Sequence, residues 1–259
     1  MAGSYNYLLV GLSVLIAMSA SYVALDLAGR TAAAKGRSRA TWLIGGAGAM
    51  GLGIWSMHYV GMLAFHLPVP VFYDLFTVVI SLLAAVFSSG VALFVVSRKR
   101  LGLFSAVCGS IVMGAGIATM HYVGMDAMRL AGMCVWNYPI VVLSIVIAIV
   151  VSLVALWLAF RFKTEVRELA PLKIVSAAVM GVAVAAMHYT GMAAASFVPS
   201  STPDDLGRAV SISSLGIAGI TVVTFMVLAA AAVTSMVDRR FSAQALELKT
   251  SEERYRLLF

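Results

Sequence analysis

Charged residues are scarce in this chain. Asp, Glu, Lys and Arg together make up 11% of its 259 residues, whereas 62% are hydrophobic. Soluble domains usually carry about 25% charged residues, and a globule of this length cannot bury so large an apolar fraction. The shortage of charge therefore excludes a water-soluble protein and indicates an integral membrane protein whose apolar side chains face lipid.

Cysteine is also scarce, which excludes a disulfide framework. Cys108 lies early in one apolar segment and Cys134 beyond its far end. With a helical rise of about 1.5 Å per residue, the two thiols are expected at opposite membrane faces, too far apart to pair. No carboxylate pair, nucleophile with a base, or phosphate-binding loop is evident, so we expect no enzymatic activity in this stretch of chain.

Long apolar runs are plentiful. A membrane-spanning helix needs about 20 predominantly apolar residues, and the first such run is too long and lacks the basic start of a cleaved signal peptide. The sequence predicts an all-α membrane protein with seven transmembrane helices, at 5–27, 40–65, 75–96, 103–128, 138–160, 174–197 and 210–237.

The net charge of +7 comes from basic residues in short clusters between these segments. This pattern is typical of membrane topology and not of phosphate binding, so we expect no nucleic-acid partner. The alternate loops that we assign to the cytoplasm contain Arg30, Lys35, Arg37 and Arg39; Arg98, Lys99 and Arg100; Arg161, Lys163, Arg167 and Lys173; and Arg239 and Arg240. The opposite loops hold only Arg129 and Arg208, which predicts an outer amino terminus and a cytoplasmic carboxyl terminus.

A hexapeptide recurs near the outer end of every even-numbered segment. It reads Met-His-Tyr-Val-Gly-Met at 57–62 and 120–125, and Met-His-Tyr-Thr-Gly-Met at 187–192. Successive copies are 63 and 67 residues apart, and each interval holds two helices. The sequence thus predicts three parallel two-helix repeats plus a seventh helix, with pseudo-three-fold symmetry about the membrane normal. We expect the even helices to form an inner ring and the odd helices to face lipid.

Residues four apart share one face of a helix, so each hexapeptide presents an imidazole and a thioether together. Thioether with imidazole favours copper, above all Cu(I). The predicted metal ligands are His58 with Met62, His121 with Met125, and His188 with Met192. Tyr59, Tyr122 and Tyr189 are expected to support the histidines at a cofactor site. The fourth histidine, His66, has no counterpart in the other copies and is expected to be a loop residue.

On these repeats the sequence resembles the MHYT family of bacterial integral-membrane sensor domains, over residues 1–240. The resemblance implies a sensory input module that binds copper through the motif histidines and methionines. Through copper such a module would perceive O2, CO or NO, or copper and redox state themselves. Residues 241–259 look like a cytoplasmic helical linker and the start of a PAS domain. This implies a cytoplasmic effector for cyclic-di-GMP turnover or a histidine kinase, a bacterial inner-membrane location, and a homodimer through the linker.

Two alternatives remain open from the residues. Two histidines are also the axial ligands of many haem proteins, which would make the domain a haem-based sensor. Stacked methionines are also expected along the path of a transporter or channel for copper or another small cation. Against a path, the deeper halves of the even segments are small and apolar, with no acidic residue at mid-membrane.

Overall fold

The computed structural model describes residues 1–98, 100–162, 170–199 and 207–226, together with residues 229 and 236. Seven helices lie in this part of the chain. The helices are α1 (Tyr7–Ala33), α2 (Gly36–Ala64), α3 (Leu75–Val96), α4 (Leu103–Asp126), α5 (Tyr138–Phe162), α6 (Ala170–Ala193) and α7 (Ile212–Met226). Five of them, α1, α3, α4, α5 and α6, are long and apolar enough to cross a membrane. The protein is thus a multi-pass membrane protein with an all-helical framework, as predicted.

Side-chain caps fix where two of these helices begin. Asn6 accepts hydrogen bonds from the backbone N–H groups of Leu8 and Leu9 at the start of α1. Asp74 accepts from the backbone of Thr77 at the start of α3. Such caps satisfy N–H groups that a first helical turn leaves without a partner. The predicted α1 segment began at Tyr5, two residues before the observed helix, because apolar content alone does not reveal a cap.

Helices α1 to α6 form one closed ring in chain order, in which α6 packs against α1. The motif ends of α2, α4 and α6 converge on the axis of this ring. In the opposite half, odd helices line the axis beside the even ones, through residues such as Leu93 and Leu156 next to Met50, Met113 and Met180. The expectation that the even helices alone form the inner ring is therefore wrong for that half.

Each even helix packs closely on the odd helix beside it through a glycine. An added Cβ at Gly51 would lie 2.6 Å from the Val86 backbone of α3, and one at Gly114 would lie 2.7 Å from the Ile149 backbone of α5. Gly181 meets the Met18 backbone of α1 in the same way. Small residues allow such close helix contacts in membranes. In the third copy, α1 thus occupies the place that α3 and α5 occupy in the first two.

Short antiparallel strands close the end of the ring that carries the hexapeptides, here called the capped end. The strands are β1 (Ser4–Tyr5), β2 (Phe65–His66), β3 (Phe72–Asp74), β4 (Met128–Arg129), β5 (Gly132–Trp136), β6 (Ala195–Pro199) and β7 (Ala209–Ser211). They pair as β1–β2, β4–β3–β7 and β5–β6. The predicted helix ends at 65, 128, 197 and 210 fall in these strands and are wrong. The apolar residues of these strands continue the apolar runs of the helices, so composition alone does not separate the two.

The chain divides into two units, Met1–Val223 and Thr224–Phe259. In the first unit, α7 packs against α2, where an added Cβ at Gly219 would lie 3.4 Å from the Cα of Ser56. The predicted linker, the PAS start at 241–259 and the domain boundary near residue 240 lie outside the described residues and stay predictions. The predicted end of the seventh helix, at residue 237, also lies outside the described residues and stays a prediction.

Candidate metal centre

Three histidines meet at the axis near the capped end. The Nδ1 atom of His58 lies 3.1 Å from that of His188 and 3.2 Å from that of His121, and the third side of the triangle is 3.2 Å. The imidazole rings stand edge-on to one another, with interplanar angles of 82° to 87°. All three side chains are buried. The three histidines predicted as metal ligands therefore lie together at one point of the structure.

The glycine of each hexapeptide makes room for a histidine of another copy. An added Cβ at Gly124 would overlap the Nε2 atom of His58, one at Gly191 that of His121, and one at Gly61 that of His188. The contacts run in one direction around the axis, from α2 to α4, from α4 to α6, and from α6 back to α2. The imidazoles are therefore held by neighbouring backbones with Nδ1 directed to the axis.

The three nitrogens cannot satisfy one another by hydrogen bonding. A neutral imidazole carries one N–H, so an Nδ1 that accepts a hydrogen bond must carry its proton on Nε2. Among the described residues, however, the Nε2 atoms of His58, His121 and His188 are buried without a hydrogen-bond partner. Any distribution of protons leaves buried donors or acceptors unpaired, which is costly. A cation bound between the Nδ1 atoms would satisfy all three of these nitrogens at once, with the proton of each ring on Nε2.

The triangle also has the size that a metal ion requires. A tetrahedral metal with bonds of about 2.0 Å to imidazole nitrogen separates those nitrogens by about 3.3 Å. The observed sides are 3.1 to 3.2 Å. These three buried histidines therefore form a potential three-nitrogen metal site. Imidazole suits copper, zinc, iron and nickel alike, so the histidines by themselves do not select the metal.

The methionines of the hexapeptides flank the histidines in sequence and are all buried. Met62, Met125 and Met192, predicted as ligands, are buried within the apolar cluster of the capped end. The leading methionines Met57, Met120 and Met187 are buried to the same degree. Ligation by a thioether stays a prediction.

The motif tyrosines connect the even helices to the odd helices. The hydroxyl of Tyr122 lies 2.5 Å from that of Ser144, and the hydroxyl of Tyr189 lies 2.8 Å from that of Ser13. Tyr59 makes the equivalent, longer contact of 3.5 Å with Ser81. Each tyrosine ring packs edge-on against the histidine that precedes it in the chain. Their hydroxyls are thus turned to serines, and a direct role at a cofactor remains a prediction.

Sequence reasoning overlooked these serines and the motif glycines. The offset of 22 residues from Tyr59 to Ser81 and from Tyr122 to Ser144 was a usable signal. The same offset from Tyr189 leads to Ser211, whereas the structure supplies Ser13. His66 was expected in a loop but lies in strand β2, where its Nδ1 is 3.2 Å from the carbonyl oxygen of Ala64. The metal-binding cluster found among the described residues does not include it.

A ring of six helices with three equivalent buried histidines at one end defines a membrane domain with a symmetric site on its axis. The chain belongs to the MHYT family, described as "Bacterial signalling protein N terminal repeat", which matches residues 51–109, 114–171 and 181–247. The three repeats predicted from the hexapeptides are thereby confirmed. Each matched stretch begins on an even helix and includes the helix that follows it.

Curated relatives are longer signalling proteins. The chain is 46% identical over 248 residues to the bifunctional diguanylate cyclase/cyclic di-GMP phosphodiesterase MucR of Pseudomonas aeruginosa, covering 96% of this chain and 36% of the relative. It is 38% identical to the signaling protein YkoW of Bacillus subtilis, covering 98% and 32%. It is 37% identical to the cyclic di-GMP phosphodiesterase NbdA of P. aeruginosa, covering 82% and 27%. The chain thus spans about a third of these relatives or less. No solved structure matches the chain.

Proposed function

We propose that this domain is a membrane sensory input module that binds one copper ion through the Nδ1 atoms of His58, His121 and His188. The observation that carries the proposal is the buried triangle of Nδ1 atoms, 3.1 to 3.2 Å on a side. The Nε2 atoms of the same rings have no hydrogen-bond partner among the described residues. Histidines buried in a membrane domain are costly, and they usually mark a functional site.

Copper is proposed over other metals because methionine thioethers flank each motif histidine in the sequence. Six buried methionines flank the three imidazoles in sequence, and thioethers are soft ligands that favour Cu(I). Met62, Met125 and Met192 are the proposed additional ligands. Tyr59, Tyr122 and Tyr189 would hold the imidazoles by packing on them from the side.

The geometry argues against haem. Axial haem ligands stand on opposite faces of a porphyrin, whereas these three rings touch one another, with centroids 5.0 to 5.1 Å apart. The interior of the helix ring also gives little support to the transporter alternative. Below the histidines the axis holds small cavities of about 40 and 20 Å³, lined by Ala, Leu, Val, Ile, Ser and Met side chains.

The proposed signal acts at the outer face of the membrane. With the basic loops in the cytoplasm, the capped end and its histidines lie near the outer face of the bacterial inner membrane. Bound copper would supply a coordination site for O2, CO or NO, or a change of oxidation state. Three helices contribute one histidine each, so an event at the axis alters how these helices pack.

The route to the cytoplasm runs through α7. Gly219 of α7 approaches the backbone of Ser56, two residues before His58, and an added Cβ at Gly216 would lie 2.5 Å from the Leu63 side chain. A shift of α2 at the site is therefore transmitted to α7, which leads towards Arg239 and Arg240. We propose that the signal reaches a PAS-linked effector for cyclic-di-GMP turnover, the activity named for two relatives. A homodimer through the linker would present paired effectors.

The test is elemental analysis of the purified domain beside a variant with His58→Ala, His121→Ala and His188→Ala. We expect stoichiometric copper in the wild type and its loss in the triple variant. His66→Ala is the matched control and should retain the metal, because His66 lies in a strand away from the triangle. A triple variant with as much copper as the wild type would refute the proposal.

A further inference from the structure

A second set of three methionines lies deeper on the axis. Met50, Met113 and Met180, here called the methionine layer, each precede a motif histidine by eight residues on the same helix. At about 1.5 Å of rise per residue this is about 12 Å below the histidines. All three side chains are buried, with exposed fractions of 6% to 8%.

The methionine layer stands between two small cavities. One has a volume of about 40 Å³ and the other about 20 Å³, and the three methionines line both of them. The side chains from α2, α4 and α6 therefore face one another across the axis. The layer is separate from the histidine site, because the β-branched residues Ile54, Ile117 and Val184 also line the larger cavity on the histidine side.

Hydroxyl groups accompany the methionine layer. Ser21, Ser89 and Ser152 lie eight residues beyond Ser13, Ser81 and Ser144 on the odd helices, and are therefore equivalent. Ser21 and Ser152 line the larger cavity. Within the described part of the chain, the fully buried hydroxyls of Ser89 and Ser152 have no hydrogen-bond partner. Ser13, Ser81 and Ser144, in contrast, each bond to a backbone carbonyl of their own helix.

We propose that the methionine layer is a second metal site, which binds a monovalent soft cation of the Cu(I) class through three thioethers. Three sulfurs around an axis, without a carboxylate among the cavity-lining residues, suit a soft ion of low charge. A hard divalent cation requires oxygen ligands of higher charge. The unpartnered hydroxyl of Ser152 faces the same cavity and supplies a polar contact to the bound ion.

The methionine layer explains a pattern that packing alone does not require. Methionine fills irregular gaps in apolar cores, yet here it leaves gaps on both sides of the layer and recurs at the same position in all three copies. An ion held there would join α2, α4 and α6 at the level where the odd helices begin to line the axis. This proposal does not depend on the histidine site being a copper site.

The test is titration with silver ion, a redox-inert counterpart of Cu(I), of the purified chain with Cys108→Ala and Cys134→Ala, here called the cysteine-free chain, because free thiols bind silver. We expect two bound silver ions in the cysteine-free chain, and one when the triple histidine-to-alanine change is added to it. One ion should also remain when Met50→Leu, Met113→Leu and Met180→Leu are combined, since leucine nearly conserves volume but lacks sulfur. Met128→Leu with Met133→Leu is the control and should bind two ions, because neither side chain lines the cavities.

A direct reading avoids dependence on variants that fold poorly. In the cysteine-free chain labelled with 13C at the methionine methyl groups, two equivalents of silver should shift the signals of Met50, Met113 and Met180. Two ions in the leucine variant, or unshifted signals of the methionine layer, would overturn the second site. A cysteine-free chain that binds a single silver ion, retained in the triple histidine variant and lost in the leucine variant, would leave the second site standing and contradict the proposed function instead.

Discussion

The hydroxyl of Tyr189 on α6 lies 2.8 Å from the hydroxyl of Ser13 on α1, so that the sixth helix is joined to the first. Ser13 donates its own proton to the carbonyl oxygen of Val10, and therefore Tyr189 donates to Ser13. This bond closes the ring at the point where the chain has no covalent connection. It also gives the third copy the tyrosine–serine contact that the first two copies make through Tyr59 with Ser81 and Tyr122 with Ser144.

Replacing Tyr189 with phenylalanine should weaken this closure. Removing one hydrogen bond of this kind costs about 0.5 to 1.5 kcal/mol, and we expect the apparent unfolding temperature in detergent to fall accordingly. Tyr138→Phe is the matched control, because Tyr138 is 73% exposed. Equal unfolding temperatures for Tyr189→Phe and Tyr138→Phe would show that the Tyr189–Ser13 bond does not stabilise the ring.

Gly61 should be intolerant of even one added methyl group. In Gly61→Ala the Cβ would overlap the imidazole of His188, displace its Nδ1 from the triangle and weaken metal binding at least about tenfold, a loss of about 1.4 kcal/mol. Gly48→Ala lies on the same helix with no atom within 4 Å of the added Cβ. This control should keep its metal and gain up to about 1 kcal/mol of helix stability. Equal metal affinities of the two variants, measured by competition with a chelator, would contradict the account.

The orientation of the chain can be tested with single cysteines. In a background with Cys108→Ala and Cys134→Ala, Met133→Cys should react with a membrane-impermeant maleimide in intact spheroplasts, because Met133 is 61% exposed in β5 at the capped end. Ser38→Cys, at the exposed start of α2, should react only after lysis. The reversed order of labelling would invert the predicted topology and place the histidine site near the cytoplasm.

The native thiol of Cys134 should react slowly with alkylating reagents near neutral pH. Burial disfavours the thiolate and raises the pKa of Cys134 to about 11, and the thiolate is the reactive form. The rate should therefore keep rising as the pH increases from 8 to beyond 10, in a Cys108→Ala background. A rate that levels off near pH 9 would show an ordinary thiol pKa and a more open β5–β6 sheet.

Much of the site was predictable because three copies of one motif constrain each other. His58, His121 and His188 follow from the repeat, and helical periodicity with parallel repeats predicts that they meet at one depth. A single copy would have supported no such prediction. The family was recognisable from the same residues.

The remaining features depend on contacts between distant parts of the chain. The bond between Tyr189 and Ser13 spans 176 residues, and the offset within the repeats indicates Ser211 instead. Strand β3 pairs with both β4 and β7 through residues that resemble helix ends. The role of Gly61 depends on where His188 of another copy lies. None of these contacts leaves a local pattern, since they arise only when the ring closes.

The most direct test of the central claim is X-ray absorption at the copper edge of the purified, copper-loaded domain. The account predicts about three imidazole nitrogens at about 2.0 Å from a single copper, with sulfur scattering if Met62, Met125 or Met192 also binds. The imidazole contribution should disappear together with the copper in the triple histidine variant. A spectrum with sulfur ligands alone, or with one imidazole, would contradict a site built from His58, His121 and His188.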